Sequence, residues 1–461
     1  MNTRAAPRGA RPREIMNMFD VKQYGAAGDG LQLDSPYIQK AIDACAAAGG
    51  GTVFLPAGTY LCGTMHMKSH VHVLIEKGAL VLGSKNMADF DPFEEPTEYC
   101  AYQDRSHSYF HHSLFVADGV CDIALTGFGT IDMQSVWEVY NTDEGRWCRA
   151  CKIVAFKNCE NVKIRDLTMK NATDLAVYVA GCENVIISGL DLQVHIDGIS
   201  PDSCKNVVIS DCIVDAGDDG IVAKCSYTLG KLKSMENLVI ANCIVKSRCN
   251  GIKFGTESNS AFLNTTITGC VIHDTQLSGI ALEAIDGARL EGFSISNISM
   301  RNVGNPLLMM VLNRARGPEG TKIGKIQNVS IHNLTITGPY EPWDAIAQNY
   351  WAFEKNMPTI TPHTYPLILV GQEDSVIKNV SLANVQFTAE GGGTEEDRKL
   401  VVPDLRDGYP ECLALGKRVP VYGLFARFVQ NLKLYNVEFF TEKEDARDAV
   451  SMENVTGCKW I

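Results

Sequence analysis

A four-residue phrase that returns about every two dozen residues constrains this chain more than any other feature. Cys159-Glu160-Asn161-Val162 recurs as Cys182-Glu183-Asn184-Val185 and Cys204-Lys205-Asn206-Val207, at intervals of 23 and 22 residues. Met235-Glu236-Asn237-Leu238 continues the series, as do Gln327-Asn328-Val329, Lys378-Asn379-Val380 and Gln430-Asn431-Leu432. Each copy leads into an alternating apolar run such as VIISGLDL, VVISDCIV or LVIANCIV. Alternation means a half-buried strand, and a period of this length means a solenoid whose coils bury one another. The recurrent Asn fits one turn of every coil, where its amide bonds the next coil and tolerates a left-handed backbone. Chance Asn-Val dipeptides would not keep this register, so the predicted fold class is all-β, a parallel β-helix.

The N-terminal part prepares one end of such a stack. In residues 19–61, Asp34 or Ser35 can cap a helix whose apolar positions Ile38, Ile42 and Cys45 recur at helical spacing. Gly49–Gly51 ends it, and short strands follow around Pro56-Ala57-Gly58. This resembles the N-terminal cap of the pectate-lyase-like right-handed β-helix superfamily, and implies a single-stranded right-handed coil with a short capping helix. Such a cap covers strand edges that the first coil would otherwise expose. We expect residues 1–18 to form a disordered extension and 19–461 a single β-helix domain. Long insertions at 92–112, 339–366 and 389–420 interrupt the repeats, and solenoid insertions tend to build a site on one face. Tyr99, Tyr102, His107, Tyr109, Trp343, Tyr350 and Trp351 within them would stack on sugar rings or pack their own loop onto the coil wall.

Composition narrows the function. No run of about 18 apolar residues is present, which argues against a membrane-spanning helix. A net charge of −12 argues against general nucleic-acid binding. The first 15 residues carry Arg without an apolar segment, so they do not read as a secretory signal, and a cytoplasmic location is expected. Of the 16 cysteines, Cys159, Cys182 and Cys204 share one repeat position, which reads as a column of small buried thiols rather than disulfides. His111-His112 and the scattered Cys lack a matching second pair for a metal, and the glycines at 49–51 and 391–393 do not form a phosphate cradle. No metal or cofactor is expected; the expected partner is an oligosaccharide. Oligomeric state carries no readable motif.

Aligned on strand starts, the coils give a column Asp174-Leu175, Asp197-Gly198, Asp219-Gly220, Asn250-Gly251 and Ser278-Gly279. Coils stack about 4.8 Å apart, so Asp197 and Asp219 become neighbours, with Asp218 beside them. Three carboxylates that close cannot all ionise comfortably, and at least one must retain a proton. One protonated acid beside ionised bases is what breaking a glycosidic bond requires. Turn chemistry explains Asp before Gly singly, but not the Asp218-Asp219 pair stacked on a third carboxylate.

These motifs, Asp197-Gly198-Ile199 with Pro201-Asp202-Ser203-Cys204, then Gly217-Asp218-Asp219-Gly220-Ile221-Val222-Ala223-Lys224, resemble glycoside hydrolase family 28, the polygalacturonase family, over roughly residues 19–340 or more. The resemblance implies an inverting hydrolase in which Asp218 protonates the leaving oxygen while Asp197 and Asp219 activate water. The chain departs from the family at three places. Its Asn-Thr-Asp is His195-Ile196-Asp197 here, its Gly-His-Gly is Cys249-Asn250-Gly251, and its Arg-x-Lys is Ala281-Leu282-Glu283. Losing that Arg and Lys removes a charge-assisted clamp on a substrate carboxylate. His195, Lys224, Arg248, Asn250, Lys253 and Glu283 are the candidate substrate-binding residues. Lys224 reads equally as a structural partner of the Asp cluster, and Glu283 as a sugar-hydroxyl ligand or an ion-pair partner of Lys253.

The leading expectation is an exo-acting hydrolase of pectin-derived oligosaccharides, because large loops around a cleft close its ends. A β-helix polysaccharide lyase using Lys224, Lys253 or Arg248 as base is the second enzyme reading, and a non-catalytic carbohydrate-binding β-helix is the third. The first two separate by absorbance. Elimination leaves an unsaturated product that absorbs in the ultraviolet; hydrolysis of pectic oligosaccharides by this protein should release sugar with no such rise.

Overall fold

Every coil donates strands that pair in parallel with the equivalent strands of the coils before and after it. The stack runs from Met18–Asp20 on Gly51–Leu55 to Lys459–Trp460 on Val421–Thr441. The computed structural model describes residues 17–94, 97–135, 137–142, 145–338 and 365–461. The result is a right-handed parallel β-helix, with the handedness that twisted parallel strands impose on their crossovers. No helix among the described residues is long and apolar enough to cross a membrane.

The repeated phrase fixes the register. Glu160 pairs with Glu183, Glu183 with Lys205, and Lys205 with Glu236. Val162, Val185, Val207 and Leu238 therefore stack as one buried column inside the coil. At the turn beside them the asparagines form a ladder. Asn184 Nδ2 donates to Asn161 Oδ1 (3.1 Å), Asn206 to Asn184 (2.9 Å), Asn237 to Asn206 (2.8 Å) and Asn264 to Asn237 (2.8 Å). Each has φ between 56° and 59°, a conformation in which Cβ crowds the following carbonyl for most residues but which Asn tolerates. The ladder skips one coil at Gly292, where the Glu291 carboxylate accepts from Asn328 instead, and then resumes through Asn379 and Asn431. Cys159, Cys182 and Cys204 are buried, unpaired thiols in one column, and Cys212, Cys243 and Cys270 form a second.

At the N-terminal end α1 (Ser35–Ala47) lays Ile38, Ala41, Ile42 and Cys45 on the first coil. Asp34 stands at its N-cap position without bonding a helix N–H. Its carboxylate accepts instead from the N–H groups of Ala27 (2.7 Å) and Gly28 (2.9 Å), which ties the preceding loop to the cap. Met18, assigned to the extension in the sequence reading, pairs with Thr52 in the first strand. Residues 1–16 and 339–364, with Trp343, Tyr350 and Trp351, lie outside the described residues. In the first insertion, Tyr109 is buried and meets Phe93 edge-on (4.8 Å between centroids), Phe110 stacks on Tyr178 (5.1 Å), and Tyr178 donates to the His107 carbonyl (3.2 Å). Tyr99 and Tyr102 meet Tyr227 edge-on at 5.2 and 5.6 Å. These rings pack their loop onto the coil wall.

The ladder makes a stability prediction. Asn206→Ala removes two side-chain bonds and leaves a Cβ in a left-handed conformation, so it should cost about 1–2 kcal/mol. Asn206→Gly loses the same bonds without that steric conflict and should melt higher than the Ala variant. Equal melting temperatures for the two would remove the left-handed turn from the account.

Candidate active site

The site lies along five parallel strands: β1 (Val177–Ala180), β2 (Ile199–Asp202), β3 (Ile221–Cys225), β4 (Ile252–Ser258) and β5 (Val271–Ala284). Ile199 pairs with Ile221, Ile221 with Ile252, and Ile252 with Ile280, all facing the core. Counting back two residues stacks Asp197, Asp219, Asn250 and Ser278. The ladder bonds agree: Gly198 N–H donates to the Asp219 carbonyl (3.1 Å), Gly220 to Asn250 (2.8 Å) and Gly251 to Ser278 (2.9 Å). The glycines are required by closeness rather than by φ. A Cβ on Gly198 would lie 2.6 Å from the Gly220 carbonyl oxygen, and one on Gly220 would lie 2.6 Å from that of Gly251.

The sequence alignment erred by one residue in the preceding coil. Val177 pairs with Ile199, so Leu175, not Asp174, stands below Asp197. Asp174 belongs one position earlier. There it accepts from the Tyr109 hydroxyl and pairs with the fully buried Lys152 (3.3 Å), away from the other three acids. The Asp-Leu pair imitates Asp-Gly by composition, while the backbone ladder aligns the following Val with Ile.

Asp197 and Asp219 are only 4% and 5% exposed, and Asp218 is half-buried. The Asp219 N–H donates to Asp197 Oδ1 (3.2 Å). Asp219 Oδ1 accepts from both the backbone N–H (3.0 Å) and the side-chain amide (2.9 Å) of Asn250, and Oδ2 faces Lys253 Nζ at 3.4 Å. Burial, then the charges of Asp218 and Asp219, hold the Asp197 carboxyl well above the usual carboxylate range. Burial and the charge of Asp219 push Asp218 up to about 7, against the pull of Lys253. The triplet therefore holds protons more readily than isolated carboxylates would, Asp218 among them. Donor atoms of Asp218, Asp219 and Cys249 lie within 4.8 Å of one another, close enough for a cation, but the Lys253 ammonium already supplies positive charge there.

Strand alternation brings Lys253, Lys224 and Glu283 out on the face opposite the core. Lys253 is 3% exposed and meets three carboxylates: Asp219, Glu411 (3.1 Å) and Glu283 (3.8 Å). Burial opposes its charge, but these acids outweigh it and hold the ammonium protonated well above its usual range. Glu411 comes from the third insertion and also accepts from Asn250 Nδ2 (3.2 Å). Nearby, the Tyr409 ring centre lies 5.8 Å from the Lys253 ammonium.

Lys224 heads an adjoining network. It pairs with Glu257 (2.7 Å), which also binds Arg316 (2.5 Å), and Arg316 reaches Asp104 of the first insertion (2.9 Å). Burial works against the Lys224 charge, yet Glu257 and Asp197 together raise it. His195 is half-buried, with Nε2 2.8 Å from the Ser135 hydroxyl; burial and then the charge of Arg248 lower its pKa. The structure thus gathers Asp197, Asp218, Asp219, Asn250, Lys253 and Glu283 in one cluster, places Lys224 on its flank in an ion-pair network, and sets His195 and Arg248 in electrostatic range of each other. Glu411, Tyr409, Glu257, Asp104 and Arg316 were not found from sequence, since they follow no repeat and only the folded insertions bring Glu411, Tyr409 and Asp104 in.

Removing Lys253 leaves Asp219, Glu283 and Glu411 without the ammonium they share. Lys253→Met should lose about 3–5 kcal/mol in urea denaturation. Adding Glu411→Gln to that background should recover part of the loss, because it removes one uncompensated acid. A Lys253→Met protein as stable as the parent would mean that these acids are already neutral.

The chain is 26% identical over 215 residues to a probable polygalacturonase of Vitis vinifera, covering 44% of this chain and 43% of the relative. It is 23% identical over 353 residues to an exo-poly-alpha-D-galacturonosidase of Dickeya chrysanthemi, covering 65% and 58%. The chain thus spans about half the length of these two relatives. Among solved structures, the exopolygalacturonase of Thermotoga maritima has the same fold, with a TM-score of 0.69 at 18% identity over 92% of both chains. The model of glycosyl hydrolases family 28 matches residues 45–356, and the chain belongs to that family.

Proposed function

We propose that the protein is an inverting, exo-acting glycoside hydrolase of pectin-derived oligosaccharides, of galacturonate or rhamnogalacturonan type. One observation carries the reading: two adjacent coils stack Asp197 on Asp219, with the less buried Asp218 beside them at the outer face. Asp218 is the least buried of the three and retains its proton close to neutral pH, so it serves as general acid to the leaving oxygen. Asp219, held at Oδ1 by Asn250, with the Lys253 charge facing Oδ2 and Asp197 against its backbone, orients and deprotonates the attacking water. No residue of the site is needed as a covalent nucleophile in this scheme; the bond to the leaving oxygen breaks as the water oxygen bonds to the anomeric carbon.

Exo action is supported by what flanks the column. The first insertion reaches the Lys224–Glu257–Arg316 network through Asp104, and the third reaches Asn250 and Lys253 through Glu411. Walls of this kind hold a chain end rather than the middle of a polymer.

Asp218→Asn should lower kcat by about 10²–10⁴-fold with little change in KM. In the parent, kcat/KM should fall as pH rises through about 7, where Asp218 loses its proton. The same raised pKa makes folding stability decline as pH rises from 3.8 toward about 7, since the folded chain keeps a proton that the unfolded chain gives up. Asp218 and Asp219 oxygens approach within 4.8 Å, closer than the roughly 6.5–9.5 Å common to inverting pairs, so product stereochemistry is a sharp test. Proton NMR should show the first product with inverted anomeric configuration, released one unit at a time. Retention, or mixed internal fragments, would overturn the corresponding half of the proposal.

A further inference from the structure

The hydrogen-bonding balance around Lys253 bears on which sugar sits beside Asp219. An ammonium has three protons to donate. At Lys253 one proton goes to Glu411 at 3.1 Å, and the charge is shared with Asp219 at 3.4 Å and Glu283 at 3.8 Å. The side-chain amide of Asn250 is committed too, to Asp219 (2.9 Å) and Glu411 (3.2 Å). Acceptors, by contrast, are in excess. Both carboxylate oxygens of Glu283 and Oε2 of Glu411 are buried without a hydrogen-bond partner among the described residues. Glu283 is 0% exposed and Glu411 5%.

A buried cluster whose one ammonium is shared among three acids, and whose acceptors stand idle, is completed by a ligand that donates. A sugar carboxylate would bring a further acceptor and a further negative charge to an ammonium that already faces three acids. A sugar hydroxyl brings a proton. We propose that the sugar unit bound beside Asp219 and Lys253 is neutral, offering hydroxyl groups and no carboxylate, and that Glu411 is the residue that sets this preference. Glu283, wholly enclosed, acts through Lys253 as a positioning residue. The inference rests on the hydrolase reading of this site and narrows its substrate class to pectic fragments that end in a neutral sugar. Units farther along the bound chain are not restricted by it.

Binding tests the preference without relying on turnover. Full-length Asp218→Asn protein would be titrated calorimetrically with three oligosaccharides that share a galacturonate body and end in galacturonate, galactose or rhamnose. At least one neutral-ended probe should bind tenfold or more tightly than the galacturonate-ended one. Glu411→Gln, added to the same background and checked by its melting curve, should narrow that ratio severalfold by replacing a carboxyl oxygen with an amide donor. Tighter or equal binding of the galacturonate-ended probe, or no binding of any of the three, overturns the proposal, as does a ratio unmoved in a folded Glu411→Gln protein. The hydrolase reading fails separately: parent protein that binds a neutral-ended probe as expected but releases no sugar from it keeps the preference and loses the activity.

Discussion

The parallel register between successive coils is the constraint on which everything else depends. Ile199, Ile221, Ile252 and Ile280 lie one above another in the core, and each fixes the residues two places before it on the outside. A slip of one residue in any of these strands would turn apolar side chains outward and acids inward, which makes the register steep in energy. The glycines at 198, 220 and 251 sharpen it further, since a Cβ at any of them would press on the carbonyl of the next coil. The Asp-Gly repetition is thus two demands in one dipeptide: a carboxylate for the groove, and a backbone thin enough to stack.

The groove sets unlike charges against each other at short range and away from water. Near Lys253 the acids outnumber the cations, and burial pushes Glu283 and Glu411 toward their neutral forms despite the ammonium beside them. In the flanking network the balance tips the other way, and Lys224 and Arg316 hold Glu257 ionised against the cost of its burial. Such clusters contribute little net stability and become costly when one partner is lost. The long apolar column inside the coil offsets that cost. The scaffold is therefore rigid where the site is electrostatically unfavourable.

Insertions give this groove its particular character. The coil supplies a flat row of side chains that any stack of this kind would present. The first and third insertions then add Asp104 and Glu411 from opposite ends of the sequence, and each attaches to a cation of the coil. Loops held on a stiff framework can change recognition without disturbing the ladder beneath them.

The coil, the inward and outward sense of its strands, the asparagine ladder and the proximity of Asp197, Asp218 and Asp219 can all be read from the chain. These are legible because a short repeat must stack on its own copies, so spacing in the chain converts directly into position in space. Asp174 shows the limit of that conversion: spacing placed it in the column, whereas strand pairing moved it one residue away to Lys152 and Tyr109. Glu283 and Lys253 were visible as candidates, but their meaning was not, since nothing local says that Glu411, 158 residues from Lys253, closes over both it and Asn250. Which charges meet depends on how the insertions fold over the coil. Pairing between coils is periodic and can be counted, while the path of an inserted loop follows from packing over the whole surface and leaves no period to read.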